Sequence, residues 1–375
     1  MKRILFLPLL QMPSGHHQVA NALIRSLHRR APDIDCRKVD FLSYANEWLE
    51  KVVTGTYLKW IHHFPVTYDK AYRTFASSSS SDVVQHFQWY ERFFVKKMQH
   101  LLEKEQPDLI VCTHGFPSSL INRLKMRKVL RTPVINVYTD FFINSIWGRH
   151  GIDYHFVADT ELKIELMRSG VPEHRIYTTG IPVDDCFKRT RRFRKLQPPF
   201  RVLVSGGSNG LGHIKEILKK LKPSRDIRYD ILCGNNRNLY NEIVSMRSEN
   251  IQPLPYISSR DEMNQLYDSV DAVMTKAGGV TVSEALFKGL PVFVHASLPG
   301  QETFNRDYLE SRGLIRHLKY DAPFDQQLLE VLTDEDELNE WRSRMEAYRL
   351  RLREKASDAV LQLLQNSNRM EKQNV

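Results

Sequence analysis

Short, nearly unbroken apolar runs recur along the chain: Ile4–Leu10, Leu109–Thr113, Pro133–Tyr138, Tyr154–Ala158, Arg201–Ser205, Tyr229–Cys233, Asp271–Thr275 and Val292–His295. Continuous rather than alternating hydrophobicity is the pattern of strands buried on both faces of a parallel sheet. Shorter strands are expected at Cys36–Asp40, Ile176–Thr178 and near Leu254–Ile257. Between the runs the apolar spacing changes to three and four, as at Val19, Ala20, Ala22, Leu23 and Leu27, which predicts a helix over Gln18–Arg30. Further helices are expected from a cap near Asp82 to about Glu105, between Gly279 and Gly289, and from about Glu302. Strand and helix in alternation predict α/β architecture with doubly wound parallel sheets. After about Glu335, Leu338, Trp341, Met345, Tyr348, Leu352, Ala356, Val360 and Leu363 form one stripe, which predicts a single long amphipathic helix.

A chain of 375 residues exceeds what one core usually holds, so two domains are expected. The charged, proline-terminated stretch over residues 188–199 reads as a linker. It separates an N-terminal domain (1–187) from a second domain (200–340), with a terminal helix and polar tail over 341–375. The net charge of +10 is uneven: residues 1–197 carry 30 Lys+Arg against 19 Asp+Glu, and the remainder carries 24 against 25. A basic half suits an anionic partner, either membrane headgroups or nucleic acid, or else serves solubility. With no DNA- or RNA-binding motif, a nucleic-acid partner is not expected. The four cysteines form no Cys-x-x-Cys pair, which favours a reducing compartment and argues against zinc. The start of the chain reads as strand, loop and helix rather than a signal peptide, and no run approaches the length of a membrane span.

Residues 41–75 mix aromatics with basic residues and histidines. Trp48, Tyr57, Trp60 and Phe64 are candidates for a membrane-interface or acceptor contact, with packing on the domain core as the equal alternative.

The chemistry gathers at strand ends. From Asp271 to Asn305 the chain reads as two successive strand–turn–helix units, with Gly278-Gly279 in the first turn and Pro299-Gly300 in the second. Glycines at the carboxyl end of a parallel strand let backbone N–H groups and a helix dipole face an anion. Thr281, Ser283 and Glu284 follow the first turn, and Gln301, Glu302 and Asn305 the second, a polar wall suited to a phosphate-bearing, hydroxyl-rich ligand. Glu284 can accept from the two hydroxyls of a ribose or serve as an acidic residue near a helix start. Gly206-Gly-Ser-Asn-Gly-Leu-Gly212 fits neither a dinucleotide fingerprint nor a P-loop, and stands open between a plain turn and a phosphate contact. In the first half His16 follows the first strand, where it can face a cleft and take a proton from a hydroxyl. Asp140, at another strand end, can orient it, and His17 is expected at the surface.

These motifs, in order along nearly the whole chain, resemble a known family. Gly15-His16 with Ala20, Thr139-Asp-Phe141 with Trp147, and Thr179-Gly-Ile-Pro-Val183 are similar to the N-terminal signatures of monogalactosyldiacylglycerol synthases and processive diacylglycerol glucosyltransferases. Thr275-Lys-Ala-Gly-Gly-Val-Thr-Val-Ser-Glu284 and Leu298-Pro-Gly-Gln-Glu302 with Asn305 resemble the donor site of glycosyltransferase family 28. The sequence departs from the pattern at Met12-Pro13-Ser14, where a glycine-rich run is usual. The resemblance implies a GT-B fold: two Rossmann-like domains facing a cleft, with the last helix crossing back. It implies inverting transfer of a hexose from UDP-glucose or UDP-galactose to diacylglycerol or a glycolipid, with no metal or other cofactor. Under it His16 is the general base and Glu284 holds the ribose. Gly206, Gly207, Ser208, Lys276, Gly278, Gly279 and Thr281 surround the diphosphate, while Gly300, Gln301, Glu302 and Asn305 face the sugar. The implied location is cytoplasmic, peripheral at the inner face of the cell membrane on an anionic surface. A nucleotide-sugar epimerase of the same form, a peptidoglycan-type N-acetylglucosaminyltransferase, and a binding protein without catalysis are the alternatives.

Overall fold

The computed structural model describes residues 2–9, 14–46, 88–187, 195–206, 214–221, 224–297 and 300–373. Trp48, Tyr57, Trp60, Phe64, Gly207 and Ser208 lie outside the described residues. The chain forms two compact units, residues 1–182 with 351–375, and residues 183–350.

In the first unit six parallel strands run β1 (Arg3–Leu7), β2 (Asp35–Lys38), β3 (Leu109–Cys112), β4 (Val134–Val137), β5 (Tyr154–Val157) and β6 (Ile176–Thr178). Their order in the sheet is β2-β1-β3-β4-β5-β6. β3 and β4 are buried along their whole length, which is why their sequences carry no alternation. Helices α1 (Gly15–Arg30), α2 (Phe41–Ala45), α3 (Gln88–Glu105), α4 (Gly115–Met126) and α5 (Thr160–Arg168) connect them. Val19, Ala20, Leu23 and Leu27 form the buried stripe of α1, as their spacing predicts.

The second unit holds β7 (Phe200–Ser205), β8 (Ile227–Leu232), β9 (Ile251–Leu254), β10 (Ala272–Lys276), β11 (Val292–Ala296) and β12 (Arg316–His317), in the order β12-β11-β10-β7-β8-β9. Its helices are α6 (Ile214–Lys220), α7 (Arg237–Ser245), α8 (Arg260–Ser269), α9 (Gly279–Lys288), α10 (Gln301–Glu310), α11 (Phe324–Leu332) and α12 (Glu335–Leu350). β9 begins three residues before its expected place. It is an edge strand, so Pro253 inside it removes no bond from the sheet interior. β12 was not expected; two basic residues carry no strand pattern, and pairing with Phe293 and Val294 of β11 makes the strand.

The single terminal helix is corrected to two. α12 ends at Leu350, and α13 (Ala356–Gln373) belongs to the first unit. Between them the Arg353 N–H donates to the Thr178 carbonyl at the end of β6, 3.1 Å away. Leu352 closes over Gly180, whose φ of +74° and lack of a side chain allow the approach; a Cβ there would stand 2.9 Å from Leu352 Cδ1. The stripe was read correctly by position, but Leu338, Trp341, Met345 and Tyr348 are buried in the second unit, while Ala356, Val360 and Leu363 are buried in the first. Arg30 of α1 pairs with Asp358 of α13. Among the described residues no helix is long and apolar enough to cross a membrane.

Candidate active site

Each sheet reverses its strand order once, and ligands of open α/β sheets bind at the carboxyl ends of the strands flanking such a point. In the first sheet the reversal lies between β1 and β3, and in the second between β7 and β10. The predicted residues fall at both places.

At the first, extended Ser14 leads into α1 and puts His16 in its opening turn. His16 Nδ1 lies 2.8 Å from the carbonyl oxygen of Thr113, just past β3. A carbonyl only accepts, so Nδ1 carries the proton and Nε2 keeps its lone pair. Thr139 Oγ1 lies 2.9 Å from the same Nδ1, and its hydroxyl donates to Asp140 Oδ2 over 3.3 Å. A carboxylate, a hydroxyl and a buried carbonyl thus fix one tautomer and one ring orientation. Burial pushes the His16 pKa below its ordinary 6.5, against the opposing pull of Asp140 and the Thr113 carbonyl. The positive end of the α1 dipole acts in the same direction as burial. The ring is therefore neutral at pH 7, with Nε2 ready to accept.

His17 is corrected: it is buried rather than on the surface, with Nε2 2.8 Å from Asp40 Oδ1. Trp147 is a core residue, its ring 4.6 Å from that of Tyr138. Sequence reading gave no role to Thr113, to the Thr139 hydroxyl or to His114. The His114 ring stands edge-on to His16, with centroids 4.6 Å apart and planes at 69°. Their positions just beyond β3 and β4 were the available signal.

At the second reversal Ser205 of β7 pairs with Thr275 of β10, which sets Gly206 beside Lys276. Gly278 is the N-cap of α9 and supplies no side-chain cap. A Cβ built on it would meet nothing within 4 Å, so this glycine leaves the first-turn N–H groups of Gly279, Val280 and Thr281 approachable rather than relieving a clash. Gly300, at φ +82° and ψ −113°, turns β11 into α10 through a conformation that only glycine adopts readily. Gln301 and Glu302 open α10. Asn305 is fully buried, and its Nδ2 donates to the Ala277 carbonyl over 3.2 Å, tying α10 to the turn after β10.

Three charged groups of the predicted site are already partnered. Lys276 Nζ lies 2.6 Å from Glu302 Oε1, so the expected phosphate cation and the expected sugar reader hold each other. Glu284 is buried in the second turn of α9; Oε1 accepts from Arg260 Nη1 at 3.2 Å and Oε2 from the Tyr267 hydroxyl at 3.0 Å. Burial, and then the Glu284 charge, hold the Tyr267 pKa well above its usual value, so its phenol stays a donor. A depression of about 860 Å³, lined by Lys195, Pro198, Phe200, Glu330, Asp334 and Arg342, lies by the start of β7 and contains none of these groups.

Comparison with known proteins matches both halves. Residues 16–183 match the monogalactosyldiacylglycerol (MGDG) synthase family, and residues 201–361 match the glycosyltransferase family 28 C-terminal domain. The chain is 43% identical over 320 residues to an uncharacterized glycosyltransferase, YkoN, of Bacillus subtilis, with 85% of each chain covered. It is 27% identical over 340 residues to a processive diacylglycerol beta-glucosyltransferase of Bacillus cytotoxicus, covering 88% of this chain and 86% of that one. Among solved structures, MurG of Acinetobacter baumannii superposes with a TM-score of 0.59 at 15% identity, covering 98% of this chain and all of that one. With two six-stranded parallel Rossmann-like sheets of the GT-B class and these matches along its length, the chain belongs to glycosyltransferase family 28 and is a sugar-transferring enzyme.

Proposed function

We propose that the protein transfers a hexose, with inversion, from UDP-glucose or UDP-galactose to the hydroxyl of diacylglycerol or a related glycolipid. The observation that carries this reading is the state of His16: its Nδ1–H is committed to the Thr113 carbonyl, so Nε2 is a neutral acceptor at a ligand-binding strand end. The acceptor hydroxyl gives its proton to Nε2 as its oxygen bonds to the anomeric carbon. The bond from that carbon to the diphosphate oxygen breaks on the opposite face. The departing charge is met by the uncapped start of α9 and by Lys276, with Gly206 on the neighbouring strand end. These groups supply the positive field, so the reading calls for no metal. Glu284 accepts from the ribose hydroxyls, and Gln301, Glu302 and Asn305 stand on the sugar side. The diacylglycerol glucosyltransferases among its relatives support the lipid acceptor. The basic first half supports a cytoplasmic enzyme resting on the anionic inner face of the membrane, with residues 48–75 as its contact.

The test uses labelled UDP-glucose and UDP-galactose with diacylglycerol vesicles containing anionic lipid. The expected result is a labelled glycolipid and vesicle binding that weakens as salt rises. Transfer to a soluble acceptor alone would overturn the lipid assignment. Epimerised free donor without any acceptor product would overturn transfer itself.

A further inference from the structure

His114 is not absorbed by that mechanism, although it stands beside His16. It is the N-cap of α4, and its Nδ1 accepts from the Phe116 N–H over 3.0 Å. A backbone amide only donates, so Nδ1 is unprotonated and the proton of the neutral ring sits on Nε2. His16 is the mirror case, with its proton on Nδ1 and its lone pair on Nε2. The two rings therefore present unlike nitrogens, a donor and an acceptor. Neither Nε2 has a hydrogen-bond partner among the described residues, and the edge-on packing at 4.6 Å does not join them to each other. Burial, and then the His16 charge, keep the His114 pKa well below its ordinary value, so the ring stays neutral.

We propose that His114 is a second catalytic residue, whose Nε2–H donates to the acceptor hydroxyl oxygen while His16 Nε2 receives that hydroxyl's proton. An alcohol is both donor and acceptor, and the pair matches both roles. An ammonium lacks the lone pair, and an ether lacks the proton. With one lone pair held by His114 and the O–H aimed at His16, the remaining lone pair is the one that bonds to the anomeric carbon. The proton ends on His16 and the bonding pair of the broken C–O bond leaves with the diphosphate. This inference rests on His16 as the base.

Two substitutions separate the capping role from the donor role. His114→Asn sets an amide oxygen where Nδ1 was and keeps the cap, but places no donor at Nε2. His114→Gln sets an amide N–H₂ near Nε2 and gives up the cap. With diacylglycerol vesicles and a UDP-sugar, His114→Asn is expected to lower kcat by about 100-fold with the donor KM unchanged, the scale for losing one aimed donor. His114→Gln should stay within about tenfold of the unsubstituted enzyme despite a lower melting temperature. Full activity in His114→Asn would overturn the proposal, as would activity in both variants that simply follows melting temperature. Nitrogen NMR of the ¹⁵N-histidine-labelled full chain reads the tautomers without any substrate. A proton on Nδ1 of His114 or on Nε2 of neutral His16 would also overturn it. An unsubstituted enzyme that transfers to no lipid would remove the functional reading, and the tautomers would still decide the pair.

Discussion

The two strand ends proposed to carry the chemistry are built on opposite electrostatic plans. Around His16 the working group is neutral, and a carbonyl, a hydroxyl and one carboxylate hold it. Around α9 acidic and basic side chains are paired, Lys276 with Glu302 and Glu284 with Arg260, beside a helix start without a side-chain cap. An imidazole accepts a proton only while it is uncharged and correctly aimed; burial favours the uncharged ring, and the bond to the Thr113 carbonyl fixes its tautomer and direction. An anion site needs charge that yields to the incoming ligand, and a lysine lent to a glutamate can be taken back. The difference predicts that proton transfer and charge binding are separable here by mutation.

The largest expected effect is at His16. His16→Ala should lower kcat by about 1,000-fold while leaving affinity for UDP within about twofold, measured by calorimetry. An equal loss in both would break the separation. Next comes Glu284→Gln, which removes a charged acceptor from the ribose hydroxyls. The KM for the UDP-sugar should rise about 10- to 100-fold, the size of one or two hydrogen bonds to a charged group. A fall in kcat without a change in KM would contradict the assignment.

The smallest effect sharpens the picture most. The His16 pKa is lowered, so the base is neutral above that value, and kcat/KM should be lost as pH falls through an apparent pKa below 6.5. The Asp140 carboxylate opposes this lowering. Asp140→Asn should therefore move the acid limb of the profile further down in pH, with only a modest change in its plateau. A limb that stays in place would show that Asp140 does not act on His16.

Much of this was legible because parallel sheets announce themselves. Runs such as Leu109–Cys112 and Val292–Ala296 lack alternation, and the glycines after β10 and β11 mark where each strand stops. His16 could be picked out because its place depends only on the strand before it and the helix after it. What stayed hidden depends on contacts far along the chain. His17 is buried with Asp40 lying across from it, and Lys276 meets a carboxylate 26 residues away. His114 looked like an ordinary residue beyond a strand until the order β2-β1-β3 put that end beside the His16 loop. The break after Leu350 escaped because Tyr348, Leu352 and Ala356 keep helical spacing across it.

That break also sets an order of assembly in time. Residues 351–373, which complete the first unit, are translated only after all of residues 183–350. At about 5–20 residues per second, roughly 10–40 s separate the end of β6 from the arrival of α13. Through that interval the His16 unit waits on the ribosome with the α1 surface next to Arg30 uncovered, while the second unit already has its whole sequence. The later-made half can finish folding first, and the half with His16 is sealed last.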